Sequence, residues 1–216
     1  MNTKKNKGRL EVVCGSMFSG KTEELLRRLK RAEFAKQNVL TVKHSIDKRK
    51  NMCTTSITSH QGRERNAFIV DNSPLSIEKI FELANSNIEV VGIDEIQFFP
   101  QEMIGVIYQL VDAGKRVIVA GLDLDFRGEP FGIMPALLAV ADEALKLKAI
   151  CVTCGKDAYH TQRMVNGKPA KYSDPIILVG AEECYEARCR NCFEIDQLPS
   201  FVVPSINKEK ISCVTK

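Results

Sequence analysis

Over roughly its first 150 residues, the chain alternates between short apolar runs and longer segments with apolar side chains at helical spacing. Continuous apolar runs of this length are typical of strands that are buried on both faces of a parallel sheet. The amphipathic segments between them are predicted to be helices that cover the sheet. The predicted strands are residues 9–14, 39–43, 68–70, 88–93 and 116–122, and the predicted helices are residues 22–36, 75–85, 102–113 and 134–145. The polar stretch 46–65 has little periodicity and is predicted to be a loop.

The character of the chain changes near Cys151. From there on it consists of short strand-like segments, turns and cysteines, with no segment periodic enough for a long helix. We therefore predict an α/β domain over residues 9–150 and a smaller domain over residues 151–199. Residues 1–8 and 200–216 are predicted to be terminal tails, the first of them disordered.

Composition limits the functional classes that remain. Hydrophobic residues make up 44% of the 216 residues, which is enough for a core and excludes a wholly disordered chain. No apolar run approaches the roughly 18 residues that span a membrane, and no signal-peptide core follows the basic N-terminus. We therefore predict a cytoplasmic protein without a membrane partner. The net charge of +4 is mild, whereas a nucleic-acid-binding protein usually has a stronger basic stripe.

A phosphate-binding loop is predicted between the first strand and the first helix. The segment GSMFSGKT matches the pattern G-x-x-x-x-G-K-[ST] in full. Its glycines allow backbone N–H groups to point at phosphate oxygens, its lysine can reach the β- and γ-phosphates, and its threonine can bind Mg²⁺. A chance glycine turn is the competing interpretation, and the flanking strand and helix argue against it. The predicted phosphate-binding residues are Gly15, Ser16, Met17, Phe18, Ser19, Gly20, Lys21 and Thr22.

Two carboxylates follow the buried strand at residues 88–93. Ligands of parallel sheets bind beyond the carboxyl ends of the strands, so Asp94 is predicted to meet the Mg²⁺ held by Thr22. Glu95 is the candidate general base for phosphoryl transfer. A solvated turn is the competing interpretation. The pair alone does not distinguish a kinase from an ATPase, because Glu95 could activate a substrate hydroxyl or a water.

Four cysteines have the spacing of a metal site. They form two C-x-x-C pairs, a pattern that is typical of a closed structural zinc site. A redox dithiol or ordinary small core residues are the alternatives. The predicted zinc ligands are Cys151, Cys154, Cys189 and Cys192. No metal role is predicted for Cys14, Cys53, Cys184 and Cys213, or for His44, His60 and His160.

Taken in order, these motifs resemble those of the type II, cytosolic thymidine kinases, the family that includes the human cell-cycle-regulated enzyme. The resemblance runs from about Arg9 to Phe193. It rests on GSMFSGKT at 15–22, DEIQFF at 94–99, GLDLDFRGEPFG at 121–132, TQR at 161–163 and ILVGAEECYEARCRNC at 177–192.

The resemblance implies a RecA-like phosphate-loop sheet with a small zinc domain. It also implies phosphoryl transfer from ATP, with Mg²⁺, to the 5′-hydroxyl of thymidine or deoxyuridine in nucleotide salvage. Glu95 matches the general base of the family. The segment that binds ATP is implied to include Asp94, Glu95, Ile96 and Gln97, and Asp47 and Arg49 match residues that help to hold metal and phosphate.

The resemblance further implies a nucleoside pocket of apolar walls and a zinc-pinned loop called the lasso. The matching residues are Met17, Phe98, Leu122, Phe126, Phe131, Thr161, Leu178, Val179 and Tyr185. For the phenylalanines, core packing is the alternative that the sequence alone would favour. A homotetramer and feedback inhibition by thymidine triphosphate are implied in the same way.

Two functions from other classes share some of these features. A zinc-containing ATPase that acts on nucleic acid would have the same phosphate loop, acidic pair and cysteines, but the mild charge argues against it. A non-catalytic nucleotide sensor is disfavoured by the intact Lys21, Asp94 and Glu95.

Overall fold

The computed structural model describes residues 7–46, 56–58, 64–176, 183–197 and 199. In its first part, a six-stranded sheet is interleaved with helices. The elements are β1 (Arg9–Gly15), α1 (Lys21–Phe34), β2 (Val39–His44), β3 (Ser56–Thr58), β4 (Glu64–Asn66), β5 (Phe68–Val70), α2 (Pro74–Leu83), β6 (Val90–Asp94), a 3₁₀ turn (Ile96–Phe98), α3 (Glu102–Asp112), β7 (Arg116–Gly121), α4 (Met134–Val140) and β8 (Glu143–Leu147).

The sheet has the order β5-β2-β6-β7-β1-β8, and every neighbouring pair is parallel. Successive side chains of a strand point to opposite faces, and both faces are covered. On one face, Leu25, Leu29 and Ala32 of α1 pack on β1, β6 and β7. The helices α2, α3 and α4 bury their apolar stripes on the other face. The predicted α/β class, with a parallel sheet between two layers of helices, is confirmed.

The second part of the chain forms small antiparallel sheets. Its strands are β9 (Ala149–Ile150), β10 (Asp157–Ala158), β11 (His160–Val165), β12 (Lys168–Pro169) and β13 (Glu183–Arg188). β9 pairs with β10, and β11 lies between β12 and β13. No helix occurs among the described residues after Cys151, as the sequence predicts. We call the described residues from 149 to 199 the cysteine lobe.

Two predicted elements are wrong. The helix predicted for residues 134–145 ends at Val140, and Glu143–Leu147 forms β8 at the edge of the sheet. Pairing with β1 decides this outcome, because the strand joins Val13 to Leu145 and Gly15 to Leu147. The predicted loop 46–65 contains β3 and the start of β4, which pair as an antiparallel hairpin.

The residue before β1 contacts α3. The N–H of Gly8 donates to the carbonyl of Val111 at 2.8 Å, so contacts with α3 begin one residue before the predicted domain. Among the residues that the structure describes, no helix is both long and apolar enough to cross a membrane.

Candidate active site and metal centre

The loop between β1 and α1 adopts a conformation that glycine makes possible. Gly20, immediately before α1, has a φ of 88°, in the left-handed region that favours glycine. Gly15 has a φ of 144°, and a side chain there would lie 2.5 Å from the carbonyl oxygen of Leu147. The loop therefore passes closely against β8 before it enters α1.

The same loop has the features of an anion site. The N-terminus of α1 presents its first N–H groups and the positive end of its dipole to the loop. Lys21 is the first residue of α1, and its Nζ reaches back to the loop and donates to the Ser16 carbonyl at 2.8 Å. The Ser16 hydroxyl is buried, and among the described residues it has no hydrogen-bond partner. A buried hydroxyl and a lysine beside a helix N-terminus fit a phosphate chain.

The acidic pair lies beside this loop. Asp94 is the last residue of β6, and its Oδ2 accepts a hydrogen bond of 3.0 Å from the Thr22 hydroxyl. Its Oδ1 accepts the N–H of Glu95, also at 3.0 Å. The structure thus joins two residues 72 positions apart, as the strand-end argument predicts. A hydroxyl and a carboxylate oxygen in contact are suitable ligands for Mg²⁺.

Glu95 has an unusual backbone. Its φ of 54° lies in the left-handed region, which is uncommon for residues other than glycine and is found at functional sites. The side chain is 9% exposed, and its Oε2 accepts a hydrogen bond of 2.7 Å from the amide of Gln97. Ile96, the next residue, is fully buried in the core.

Several residues predicted for the nucleoside pocket are brought together. Phe98 and Phe131 meet edge to face with centroids 5.5 Å apart, and both are half-buried. Phe126 is 5% exposed, with the Arg163 guanidinium 3.8 Å above its ring. This cation–π contact with Arg163 fixes the position of Phe126.

A hydrogen bond connects the phosphate loop to the cysteine lobe. The N–H of Met17 donates to the Thr161 hydroxyl oxygen at 3.0 Å. Thr161 lies on β11 and Tyr185 lies on β13, where it is paired with Arg163. Met17 and Leu122 are half-buried. The other predicted residues, Asp47, Arg49, Leu178 and Val179, lie outside the described residues.

The four predicted cysteines form one cluster. Their sulfur atoms all lie within 4.8 Å of one another, and the Sγ atoms of Cys154 and Cys189 are 3.6 Å apart. Four sulfurs at about 2.3 Å from a tetrahedral zinc ion would be separated by about 3.8 Å. The cluster therefore has the size and the donor set of a structural metal site. Cys184 is exposed and does not belong to it.

Neighbouring groups shift the pKa values of Cys151 and Cys192 in opposite directions. Burial opposes ionisation of Cys151, but N–H groups of Cys189, Thr153 and Cys154 outweigh it and lower its pKa to about 6. Hydrogen bonding with the neighbouring thiol of Cys189 raises the pKa of Cys192 to about 12. A bound metal would ionise all four thiols, because a coordinating thiol loses its proton.

The comparisons with known proteins agree with this geometry. A family model described as thymidine kinase matches residues 8–193. The chain belongs to the thymidine kinase family. It is 55% identical to a thymidine kinase of Coprothermobacter proteolyticus over 188 residues, which cover 87% of this chain and 91% of that protein. The resemblance seen in the sequence motifs is thereby confirmed.

This member of the thymidine kinase family has further residues near the site that the sequence analysis missed. His44 is buried, and its Nδ1 accepts the N–H of Ile46 at 3.1 Å, so the ring proton lies on Nε2. Nε2 then donates to Asn72 Oδ1 at 2.8 Å, and Asn72 donates to the carbonyl of Phe98 at 3.1 Å. The chain of contacts fixes the turn that follows Glu95. No local signal pointed to it.

Lys43 is a second residue that was missed. It is 4% exposed and lies beside Asp94 in the register between β2 and β6. A lysine within a predicted buried strand was the signal that could have found it, since a charge is rarely buried without a function or a partner.

Proposed function

We propose that this protein transfers the γ-phosphoryl group of ATP to the 5′-hydroxyl of thymidine, or of deoxyuridine, to give the nucleoside monophosphate for DNA synthesis. The observation that carries the proposal is the 3.0 Å contact between Thr22 Oγ1 and Asp94 Oδ2, which sets the acidic pair beside the phosphate loop. The name of the C. proteolyticus relative, thymidine kinase, supports thymidine as the acceptor.

Residues 15–22 bind the phosphate chain of ATP. The loop N–H groups and the N-terminus of α1 bind its oxygens, and Lys21 balances charge on the β- and γ-phosphates. A bound Mg²⁺ would neutralise the charge that develops on the transferred group. Thr22 and Asp94 would hold it, directly or through water, and Asp47 and Arg49 would help to hold metal and phosphate.

Glu95 is the proton acceptor of the proposed reaction. As the bond between the 5′-oxygen and the γ-phosphorus forms, the bond from that phosphorus to the β-phosphate oxygen breaks and ADP leaves. The hydroxyl proton moves to the Glu95 carboxylate, which therefore has to be ionised at the start. Its position after Asp94 supports this role, because the base has to lie near the metal-bound γ-phosphate.

Apolar side chains bind the nucleoside base. The walls of the proposed pocket are Met17, Leu122, Phe98, Phe126 and Phe131, with Tyr185 lining the same pocket. The Thr161 oxygen accepts the N–H of Met17, so its own proton is left to donate to the base. The backbone of Leu178 and Val179 is proposed to supply the remaining hydrogen bonds.

The cysteine cluster is proposed to hold a structural zinc ion. Four thiolate ligands leave no open position for catalysis, which supports a structural role. We also propose a cytoplasmic homotetramer that is inhibited by thymidine triphosphate and has neither a nucleic-acid nor a membrane partner. These properties are carried over from the resemblance to type II thymidine kinases.

The proposal is tested by the formation of ADP from Mg·ATP with and without thymidine, combined with Glu95→Gln. The wild-type protein should form ADP and thymidine monophosphate in equal amounts, and little ADP without thymidine. Loss of a general base costs about 10²–10⁴ in rate, so the variant should lose nearly all turnover. ATP binding should stay close to that of the wild type, because Glu95 is proposed to act on the proton.

Glu102→Gln is the matched control, since Glu102 is exposed in the first turn of α3. It should leave turnover unchanged. If Glu95→Gln keeps most of the activity, the general-base role is wrong. If ATP turnover is indifferent to thymidine and is raised by single-stranded DNA, the nucleic-acid ATPase is the better assignment.

A further inference from the structure

Two arginine side chains contact the ring of Phe126. The guanidinium carbon of Arg163 lies 3.8 Å from the ring centroid, and that of Arg127 lies 5.4 Å from it. Both distances are within the range of a cation–π contact. Arg163 belongs to β11 of the cysteine lobe, whereas Arg127 belongs to the same loop 121–132 as the ring. Phe126 is therefore held from the lobe as well as from its own loop.

The same two arginines bind neighbouring carbonyl groups of the lobe. Nη1 of Arg163 donates to the carbonyl of Pro175 at 2.7 Å, and Nη2 of Arg127 donates to the carbonyl of Asp174 at 2.8 Å. A guanidinium can do this while it contacts a ring, because its flat face stacks and its N–H groups donate from the edge. Each arginine thus joins the Phe126 ring to residues 174–175.

Fold stability does not account for an arginine at position 163. The side chain is fully buried, and its Nε and Nη2 have no hydrogen-bond partner among the residues that the structure describes. Within that part of the chain its one ion pair joins Nη2 to Asp174 Oδ2 at 4.0 Å, which is too long for a hydrogen bond. A well-packed apolar side chain would stabilise the fold at least as well as such a charge. The arginine is better explained by a task in the neighbouring site.

The strand β11 carries two groups of the proposed nucleoside pocket on one face. Thr161 and Arg163 are two positions apart, so their side chains lie on the same side of the strand. The Thr161 hydroxyl contacts the phosphate loop, and Arg163 contacts Phe126. Gln162, between them, exchanges hydrogen bonds of 2.8 and 3.0 Å with the backbone of Glu194. The position of the Phe126 ring is thereby tied to the strand that carries Thr161.

We propose that Arg163 and Arg127 are positioning residues, which hold the Phe126 wall of the nucleoside pocket at a fixed place relative to Thr161. This inference rests on the proposed function, because it assigns a task within the proposed pocket. The two arginines act through the ring and are not assigned a contact with ATP. A second link supports the arrangement: the Tyr172 hydroxyl donates to the Glu129 carboxylate, and so also joins the lobe to the loop 121–132.

Four variants test the role of the guanidinium groups. Arg163→Met fills similar space without charge, and Arg163→Lys keeps the charge without the flat donor edge. Arg127→Met removes the half-buried partner, so it tests the same role if Arg163→Met does not fold. Phe126→Leu keeps an apolar wall and removes the ring. Arg31→Met is the matched control, since Arg31 is exposed in the last turn of α1.

The measurement is the KM for thymidine, with kcat, the KM for ATP, metal content and far-UV circular dichroism beside it. Arg163→Met should raise the KM for thymidine by about tenfold, the effect expected from a buried cation–π contact. Arg127→Met should raise it by about fivefold, because its contact is longer. Arg163→Lys should not restore the wild-type value. The KM for ATP and the metal content should stay unchanged, and the control should match the wild type.

A double-mutant cycle shows whether the arginine acts through the ring. If it does, Arg163→Met should change the KM for thymidine by less than about threefold when Phe126→Leu is already present, since coupled residues are not additive. The same comparison is made with Arg127→Met.

Additive effects in these cycles would overturn the inference, as would an unchanged KM for thymidine in the folded arginine variants. A wild-type KM in Arg163→Lys would overturn the role of the flat guanidinium. Loss of metal together with the KM effect in both arginine variants would mean that they only hold the lobe folded, which also overturns it. Failure of the proposed function is recognised separately, because the wild-type protein would then form no thymidine-dependent ADP, and the inference would fall with it.

Discussion

The parallel sheet and the cysteine lobe are stabilised in different ways. The sheet has two apolar layers, one of which alone buries 21 residues between its strands and three helices. The apolar core of the lobe consists of three alanines and two of the candidate metal ligands: Ala149, Ala158, Ala187, Cys151 and Cys189. So little apolar surface does not offset the conformational entropy of the ordered chain. From this difference we expect that the lobe needs a bound metal to fold, whereas the sheet does not.

The largest expected effect comes from removal of a metal ligand. Cys189→Ser should lose the metal and unfold the lobe, because metal binding supplies most of the folding free energy of small metal domains. Thr161 and Tyr185 lie on strands of that lobe, so the KM for thymidine should rise by more than about tenfold, the loss of 1.4 kcal/mol or more. Metal content, the KM for thymidine and far-UV circular dichroism check this prediction.

Cys184→Ser is the control for that substitution, since Cys184 is exposed and lies outside the cluster. It should keep both metal and KM. The circular dichroism signal of the helices that cover the sheet should be the same in both variants. A native protein that is well folded without any bound metal would contradict the comparison between the two regions.

A cavity in the core of the sheet should lower the stability of the sheet and leave the metal content of the lobe unchanged. Leu29 belongs to α1 and is fully buried against the sheet. A side chain at Gly92 would lie 2.6 Å from its Cδ1, so helix and strand are in close contact there. Leu29→Ala should lower the free energy of unfolding of the sheet by about 2–5 kcal/mol. The metal should stay bound, because the lobe does not depend on this layer.

Denaturant unfolding and metal content together measure the effect of Leu29→Ala. Leu75→Ala is the matched control, because Leu75 is 80% exposed and its truncation leaves no cavity. If Leu29→Ala releases the metal at the same denaturant concentration at which the sheet unfolds, the two regions are one cooperative unit and the comparison fails.

The same contrast explains which elements could be predicted from the sequence. The buried strands are continuous apolar runs, such as residues 90–93 of β6, and neighbouring layers of helices require that pattern. The edge strand β8 has good helix formers and is partly exposed, so its local pattern did not decide between helix and strand. Pairing with β1 did, and tertiary contacts of this kind outweigh local propensity.

Some residues of the active site could be predicted from the sequence and others could not. The phosphate loop and the acidic pair could be predicted, because one is a local motif and the other follows from the rule for strand ends. Gln97 was predicted as an ATP-binding residue from the resemblance alone. Its bond to Leu122 depends on the proximity of two segments 25 residues apart, and that distance is a property of the packed sheet. The same holds for His44 and Asn72, which are 28 residues apart.

Acid should affect the two regions at different pH values. The loss of sheet stability should be smaller than the loss caused by Leu29→Ala. Hydrogen bonds from Arg27, and in second place from Arg28, lower the pKa of Glu24 to about 2. Burial acts in the opposite direction and is outweighed. Burial would raise the pKa of Glu11, but hydrogen bonds from Arg116 and Arg28 outweigh it, and the pKa lies below its usual value. A carboxylate with a lowered pKa stabilises the fold above its unfolded value of about 4.3. That stabilisation is lost as the pH falls from there toward 2.

Thiolate ligands compete with protons for the metal at higher pH than this. On acidification, metal release should therefore precede the loss of sheet stability, as followed by a chelator dye and by thermal melts at each pH. Glu11→Gln should flatten the pH dependence of the melting temperature below about pH 4.5, because it removes one of the titrating groups. Simultaneous loss of metal and sheet would contradict the separation.

The smallest expected effect lies at the start of α2. Ser73 is the N-cap of this helix, and its hydroxyl accepts the N–H of Ser76 at 3.3 Å. Ser73→Ala should cost about 1 kcal/mol of stability, the usual effect of removing such a cap. α2 buries Ile77 and Ile80 against the sheet, so the cost should appear in the unfolding of the sheet and leave the metal content unchanged.

Ser76→Ala is the matched control for the cap, because its N–H, which the alanine keeps, is the group that the Ser73 oxygen binds. Its effect should be within about 0.5 kcal/mol, as for most surface substitutions. The side chains of Ser73 and Ser76 both hydrogen-bond to Asp71, so equal losses in the two variants would mean that the hydroxyls act through Asp71 and not through the cap. A loss in Ser73→Ala alone would show that a single terminal hydrogen bond of α2 contributes to the stability of the whole sheet. The cysteine lobe is expected to unfold cooperatively in this way only when it holds its metal.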